Sequence, residues 1–265
     1  MSRLVIDLQL NQGSAPWSVL RDAGIAAEEA GFNTLWNLDH FSGKVFDSDS
    51  MMECFTSLTA WATTTTTIGI GTLVTNVMNR EPGLLANIVS SIQQISNNRL
   101  TLGIGAGAAP NTMFSAEQDA LEISLLPKMV DRHNRLVEVV DIMRSIWAKD
   151  RDQRFDGFPR PDKEPAIIVG VNSMALARRA GELTDGVNTR FNHPERAALI
   201  AAAREASGHR PGFDTSVWSW FIPEYADANH PFHKELLAEG VTRLIMFQRG
   251  APDVSAIASV AKYLR

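Results

Sequence analysis

The 265-residue sequence has a single cysteine, Cys54. One thiol makes neither an internal disulfide nor a cysteine cluster, and within Met51-Met52-Glu53-Cys54-Phe55 it reads as a small buried apolar residue. No apolar run reaches the roughly 18 residues of a membrane span. The opening Arg3-Leu4-Val5-Ile6-Asp7-Leu8 lacks the long apolar stretch and small-residue cleavage site of a secretory signal, so a cytoplasmic protein is expected. Basic residues form no stripe: 25 Lys and Arg are scattered among 30 acids, for a formal net charge of -5. Nucleic acid is therefore not an expected partner. The absence of a Cys-His cluster or a His-Glu-x-x-His segment removes the usual reasons to expect a metal. The absence of Gly-x-Ser-x-Gly removes the usual serine hydrolase.

What is present is a balanced globular composition, 45% hydrophobic and 21% charged, with short β-rich runs alternating with longer helical patterns. That alternation is the mark of parallel βα units. The strand candidates are Leu4–Leu10, Thr34–Leu38, Thr67–Val74, Arg99–Gly105, Ala166–Gly170, Gly186–Thr189, Val217–Ile222 and Arg243–Phe247. Most are continuous apolar runs, as expected where both faces of a strand are covered. Between them, Trp17–Ala30 reads as a helix stopped by Gly31, and Asp131–Lys149 as an amphipathic helix with Leu136, Val140, Met143 and Trp147 on one stripe. Residues 108–128 and 149–165 interrupt the rhythm and read as loops. The expectation is one domain over residues 1–265, an α/β fold of the (β/α)8 TIM-barrel type.

In such a barrel the site is built at the C-terminal ends of the strands. The second strand runs out through Leu38-Asp39-His40-Phe41. There an imidazole can exchange a proton near neutral pH and the carboxylate can orient it or bind a ligand, or the pair can simply brace the loop. The third ends in Thr72-Leu73-Val74-Thr75-Asn76, small and hydroxylated residues against which a planar ring can lie, or an ordinary strand entering a turn. The fourth, Leu100 to Gly105 and on through Ala106-Gly107-Ala108-Ala109-Pro110-Asn111, has glycines that allow close backbone approach to a ligand. Pro110 in the last position of the dinucleotide fingerprint, with no later strand ending in the expected acid, argues against a Rossmann site. The fifth ends in Gly170-Val171-Asn172-Ser173 before the helical run Met174–Leu183, which offers a phosphate cradle or a plain N-cap.

Taken in order, Ala27-Glu28-Glu29-Ala30-Gly31-Phe32, Leu35-Trp36, Asp39-His40-Phe41, Ile70-Gly71-Thr72-Leu73-Val74-Thr75, Asn98-Arg99-Leu100 and Gly103-Ile104-Gly105-Ala106-Gly107 resemble the luciferase-like monooxygenase superfamily. Ile168-Val169-Gly170 and Ala180-Gly181-Glu182-Leu183-Thr184-Asp185-Gly186 extend the likeness over nearly the whole chain, and the closest likeness is to the coenzyme F420-dependent branch. The resemblance implies a barrel that binds F420, or FMN as the alternative, with the ring over the strand ends and phosphate near the fifth and sixth. It implies that Asp39 and His40 touch the deazaflavin, with His40 as proton partner or ring stabiliser and Asp39 orienting it. A bulge with a non-prolyl cis peptide is implied at Leu73-Val74. Cofactor contacts are expected from Asp39, His40, Thr72, Leu73, Val74, Thr75, Gly105, Ala106, Gly107, Asn111, Gly170, Val171, Asn172 and Ser173. Where related sugar-phosphate dehydrogenases carry a glutamate after Gly-x-Gly, this chain has Ala108, which speaks against a sugar-phosphate substrate. Hydride transfer between F420 and a small organic substrate is the leading reading, in a homodimer as in many relatives. An FMN-dependent monooxygenase and a noncatalytic flavin-binding barrel are the rivals.

Overall fold

Covering both faces of a parallel sheet with helices leaves a closed barrel as one stable solution, and this chain adopts it. The computed structural model describes residues 3–265. Its first half runs β1 Val5–Leu10, α1 Trp17–Ala30, β2 Thr34–Asn37, α2 Cys54–Thr64, β3 Gly69–Asn76, α3 Pro82–Ile95 and β4 Leu100–Gly105. Two helices, α4 Ala116–Ala120 and α5 Met129–Trp147, precede β5 Ala166–Gly170. Then come α6 Met174–Leu183, β6 Gly186–Arg190, α7 Arg196–Ala206, β7 Asp214–Trp220, α8 Pro231–Ala238, β8 Arg243–Gln248, α9 Val254–Ser259 and α10 Ala261–Leu264. The eight strands pair in sequence order and β8 returns to β1 in parallel register, Asp7 opposite Ile245 and Gln9 opposite Phe247. The fold is a (β/α)8 TIM barrel.

Each element follows from local chemistry. The predicted α1 is matched in full, and Gly31 ends it at φ 94°, a left-handed conformation that glycine adopts without cost. In α5 the expected stripe of Leu136, Val140, Met143 and Trp147 is buried. It packs with the outer faces of the strands in the larger core. A second, smaller core of Trp36, Leu73, Ile168 and Ile245 fills the barrel interior, with Val74 and Trp218 against it.

Two charged residues quoted in the resemblance prove to hold the frame. Glu28 on α1 accepts hydrogen bonds from the amides of Thr66 (2.9 Å), Thr67 (2.5 Å) and Ile68 (2.9 Å), fastening the turn before β3 to a neighbouring helix. Its burial raises the carboxyl, but these amides outweigh that and hold it at about 2. Arg99 gives its guanidinium to the carbonyls of Ser96, Ala62, Thr65 and Ile68, closing the turn from α2 to β3 against the start of β4. At the bottom of the barrel buried Asp7 meets Arg243 (2.7 Å) and the Trp36 indole (2.7 Å). Desolvation pushes this carboxyl up to about 6 against the pull of Arg243.

The boundaries depart from expectation in instructive places. β3 continues past Val74 to Asn76, because the register shifts between Thr72 and Thr75 and pairing with β4 then resumes. β7 starts at Asp214, three residues before the predicted Val217. Its polar start is buried or half-buried because Asp214 pairs with Arg243 (2.6 Å) and Ser216 donates to the Val187 carbonyl (3.0 Å), so polarity there is satisfied pairing. The predicted end of that strand, Phe221 and Ile222, instead leads into a 3₁₀ turn at Pro223–Ala226. The stretch 108–128, expected as loop, contains α4.

Candidate functional site

At the C-terminal rim the strand ends surround a cavity of about 660 Å³. Its floor includes the bulged β3 segment. The Leu73–Val74 peptide is cis, as the resemblance implied. Val74 is lodged between glycines: a Cβ on Gly105 would lie 2.6 Å from Val74 Cγ2, and one on Gly170 would lie 3.2 Å from Val74 Cγ1. A Cβ on Gly103 would fall 2.0 Å from the Thr72 carbonyl oxygen. The glycines of β4 therefore make room first for the neighbouring strand. Gln9, inside the barrel on β1, donates to the Leu73 carbonyl (2.7 Å) and so ties the bulge to the strand beyond β2.

Asp39 and His40 both reach the cavity, but their side chains part company. Asp39 is buried and takes the Arg80 guanidinium on both oxygens (2.9 Å each), with further bonds from the Asn76 amide (2.9 Å) and Asn79 (3.1 Å). Arg80 also reaches Glu53 (2.6 Å) and lies over the Phe55 ring. The acid bonded to His40 is Glu117 of α4: Nδ1 of the imidazole is 2.8 Å from Glu117 Oε1. The expectation that Asp39 orients His40 is thus corrected, because the geometry commits Asp39 to a buried cation. The second Glu117 oxygen accepts from the amides of Phe41 (2.8 Å) and Ser42 (3.0 Å). Burial pushes the Glu117 carboxyl up, but His40 and these amides together hold it below the ordinary carboxylate range. Gln118 bridges the two acids' networks, donating to Asn79 (3.0 Å) and to Glu117 (3.2 Å).

The remaining predicted residues divide cleanly. Leu73, Val74, Gly105, Ala106, Gly107, Gly170, Val171 and Asn172 line the cavity. Thr72 and Thr75 do not: both are buried, Thr75 donating to Thr72 (2.8 Å) and Thr72 to the Gly103 carbonyl (2.8 Å), so their hydroxyls staple the bulge. Asn111 is exposed in a left-handed turn at φ 60° and stands outside the cavity lining. Ser173 accepts from the Leu176 amide (3.4 Å) as the N-cap of α6. Cys54 is buried, and burial pushes its thiol up.

Sequence reasoning missed Glu117, Gln9, Arg80 and the cations of the far rim. Arg190 ends β6, and Arg132 sits on the first turn of α5 beside His133, whose imidazole is pushed down by burial and by Arg132 and Arg179. No carboxylate of the described residues forms an ion pair with Arg132 or Arg190. Thr189 also lines the cavity, and its buried hydroxyl makes no hydrogen bond within the described chain. A larger groove of about 980 Å³ runs along α3 and α5 past Leu84 and Arg135, but neither His40 nor the bulge borders it.

The model of the family described as luciferase-like monooxygenase matches residues 3–235. This chain belongs to that family. Among its curated relatives is an F420-dependent glucose-6-phosphate dehydrogenase of Microbacterium testaceum, 28% identical over 66% of this chain and 54% of the relative. A 5,10-methylenetetrahydromethanopterin reductase of Archaeoglobus fulgidus is 28% identical over 73% of this chain and 57% of its own length. The chain thus spans little more than half the length of these relatives. Two solved structures share the family's fold. An F420-dependent secondary alcohol dehydrogenase, solved with an F420-acetone adduct, has a TM-score of 0.80 at 19% identity and full coverage of both chains. A monooxygenase from Streptomyces bottropensis has a TM-score of 0.73 at 18% identity, covering 99% of this chain and 97% of its own.

Proposed function

We propose that this chain is an F420-dependent oxidoreductase that moves a hydride between the deazaflavin and a small organic substrate. The observation that carries the reading is the imidazole of His40, turned into the cavity beside the β3 bulge with Nδ1 held by a buried carboxylate. F420-dependence in the curated relatives supports the choice of cofactor.

The residues present fit such a group. The bulge around Leu73–Val74 offers a floor for a planar ring, and the rim at β5 and β6 offers Asn172, the start of α6, the unpartnered Thr189 hydroxyl and Arg190 to an anionic chain. When bound, the deazaflavin supplies a ring carbon that accepts or gives a hydride. The protein's own task is then the proton. Glu117 takes the Nδ1–H of His40, which leaves Nε2 as the nitrogen free to accept a proton from a substrate hydroxyl or return one to a carbonyl. Asp39 acts on this pair at one remove: with Arg80 it fixes the backbone from which His40 projects. Phe46, edge-on to the imidazole at 5.1 Å, keeps water from that side.

The second reading, an FMN-dependent monooxygenase using reduced flavin and oxygen, is favoured by the fold shared with a monooxygenase. Titrating F420H2 and, separately, reduced FMN against the emission of the six tryptophans decides between them. Saturable binding of F420H2 with much weaker FMN is the expected result. The reverse preference overturns it in favour of the monooxygenase, and binding of neither removes the enzymatic reading. The proposal extends to a cytoplasmic homodimer. No helix of the described residues is long and apolar enough to cross a membrane, and Leu84, Met129 and Val130 of α3 and α5 are exposed apolar residues available for self-association. Sedimentation velocity reads the oligomeric state directly.

A further inference from the structure

The β3–β4 register passes from Thr72 opposite Leu102 to Thr75 opposite Ile104, so Leu73 and Val74 stand outside the ladder and their peptide groups need other partners. The Leu73 carbonyl finds one on a strand that is not its neighbour. Gln9 of β1 donates Nε2 to it (2.7 Å), with the Asn37 carbonyl of β2 farther off (3.4 Å). The other end of the same amide is also taken: Oε1 accepts the indole N–H of Trp218 on β7 (2.5 Å). In the closed ring β3 and β7 lie on opposite sides, and the fully buried Gln9 joins them through the barrel interior. Gln9, Leu73, Val74 and Trp218 all line the cavity. Trp218 is also the first of a line of rings. It stands 5.5 Å from Phe247 of β8, Phe247 stands 6.2 Å from Phe46 on the 3₁₀ turn Gly43–Phe46, and Phe46 meets His40 edge-on at 5.1 Å.

Few side chains serve both partners of Gln9. A carbonyl needs a donor and an indole N–H needs an acceptor, and a neutral amide offers both in one planar group. Turned over, the amide would set its NH2 against the indole N–H and its oxygen against the carbonyl, so the two ends together fix its orientation. Leu73 belongs to the small interior core with Trp36, Ile168 and Ile245, and Trp218 packs against it, so an unpaired polar atom there is unfavourable. We propose that Gln9 is a positioning residue that holds the β3 bulge and Trp218 in one relation, so that the floor under the cofactor ring and the line of rings ending at His40 are placed as a unit. This rests on the reading of the chain as an F420-dependent oxidoreductase.

The test compares the purified wild type with Gln9→Met, which keeps the length and loses both hydrogen bonds, and with Gln9→Glu, which keeps the shape and makes the donor depend on a proton. Burial raises the pKa of the introduced carboxyl. It is therefore protonated at about pH 5, where it donates to the Leu73 carbonyl as the amide does, and ionised at about pH 8, where it repels that carbonyl. None of the partners Asn37, Leu73 and Trp218 titrates. The groups that do, or that carry charge, are Asp39 with Arg80, His40 with Glu117, His133, Arg132 and Arg190 around the cavity, and Asp7 with Arg243 below it. They are common to wild type and variants, so each F420 affinity is taken relative to wild type at the same pH. Gln9→Met is expected to bind F420 about tenfold more weakly, the loss that follows from leaving a buried carbonyl unsatisfied. Gln9→Glu is expected to match that loss at the higher pH and to return to within about twofold of wild type at the lower, which a side chain acting by packing alone would not do. The Trp218 indole N–H, read in spectra of 15N-labelled tryptophan without cofactor, is expected to exchange with solvent faster in Gln9→Met than in wild type. F420 affinity unchanged in the folded variants, a Gln9→Glu loss that does not depend on pH, or unchanged Trp218 exchange overturns the proposal. Gln9→Glu at the lower pH keeps the test open if Gln9→Met fails to fold. If F420 does not bind the wild type, the oxidoreductase reading fails, while Trp218 exchange measured without cofactor still decides whether Gln9 holds the indole.

Discussion

His40 has one ring nitrogen committed and one open, and Glu117 is the cause. Glu117→Gln keeps an acceptor within reach but removes the charge that complements an imidazolium. We expect kcat to fall roughly tenfold or more, against about 10²–10⁴-fold for His40→Ala, the range usual for a general acid–base group. The double variant should be scarcely worse than His40→Ala, since both changes act on one unit. Turnover followed by F420 absorbance reads the rates. The ring's 15N chemical shifts separate a change of tautomer from general damage. Asp39 carries a different expectation. Its removal leaves Arg80 only the part-exposed Glu53 as an acidic partner, in a site where the side chains of the Asp39–Arg80 pair are 1% and 9% exposed. Asp39→Asn should therefore cost about 3 kcal/mol of stability in urea unfolding, as breaking a buried ion pair does. Normal stability with lost turnover would return Asp39 to the chemistry. The adjacency Asp39-His40 drew attention to the right stretch of chain. The acid that serves His40 lies 77 positions away, and no spacing rule could have joined them.

At the scale of the element, the β3 bulge is held by hydroxyls beneath it and by missing side chains beside it. Gly105→Ala would set a Cβ 2.6 Å from Val74 Cγ2, forcing the bulge to shift. The expected outcome is a stability loss of about 1–3 kcal/mol from overpacking together with weaker F420 binding. Unaltered F420 affinity in the folded variant would separate the bulge from the cofactor. Glu28 illustrates an element fastened by charge. Its folded carboxyl sits at about 2 against an ordinary 4.5, so its contribution is complete above about pH 4.5 and is lost as pH falls toward 2. Glu28→Gln should cost about 1–2 kcal/mol near neutral pH, after allowing for its partial exposure, and the deficit should shrink across that window. Denaturation midpoints measured against pH check both the size and the direction. The strands were legible because continuous apolar runs mark buried parallel strands. The start of β7 and the helix α4 were not. Asp214 is half-buried and Ser216 buried through partners on other strands, and the five residues of α4 have no apolar period to detect.

For the whole molecule, a net charge of -5 coexists with a rim where Arg132 and Arg190 have no acid of the described residues as a partner. An anionic cofactor held there should bind more weakly as salt rises. Between about 0.05 and 0.5 M salt the Debye length falls several-fold, and F420 affinity should fall with it. F420 affinity that does not change with salt would separate these arginines from the cofactor. By itself the sequence determined the class of fold, the order of its eight units, the α1 helix to its capping glycine and the strand ends at which to look for chemistry. These rest on local periodicity and turn stereochemistry, which a linear text carries in full. Only the tertiary structure decided that Asp39 belongs to Arg80, that Glu117 belongs to His40, and that Phe46, Trp218 and Phe247 meet. Those pairings depend on closing the barrel, which sets β8 beside β1 and brings residues from opposite ends of the chain around one cavity.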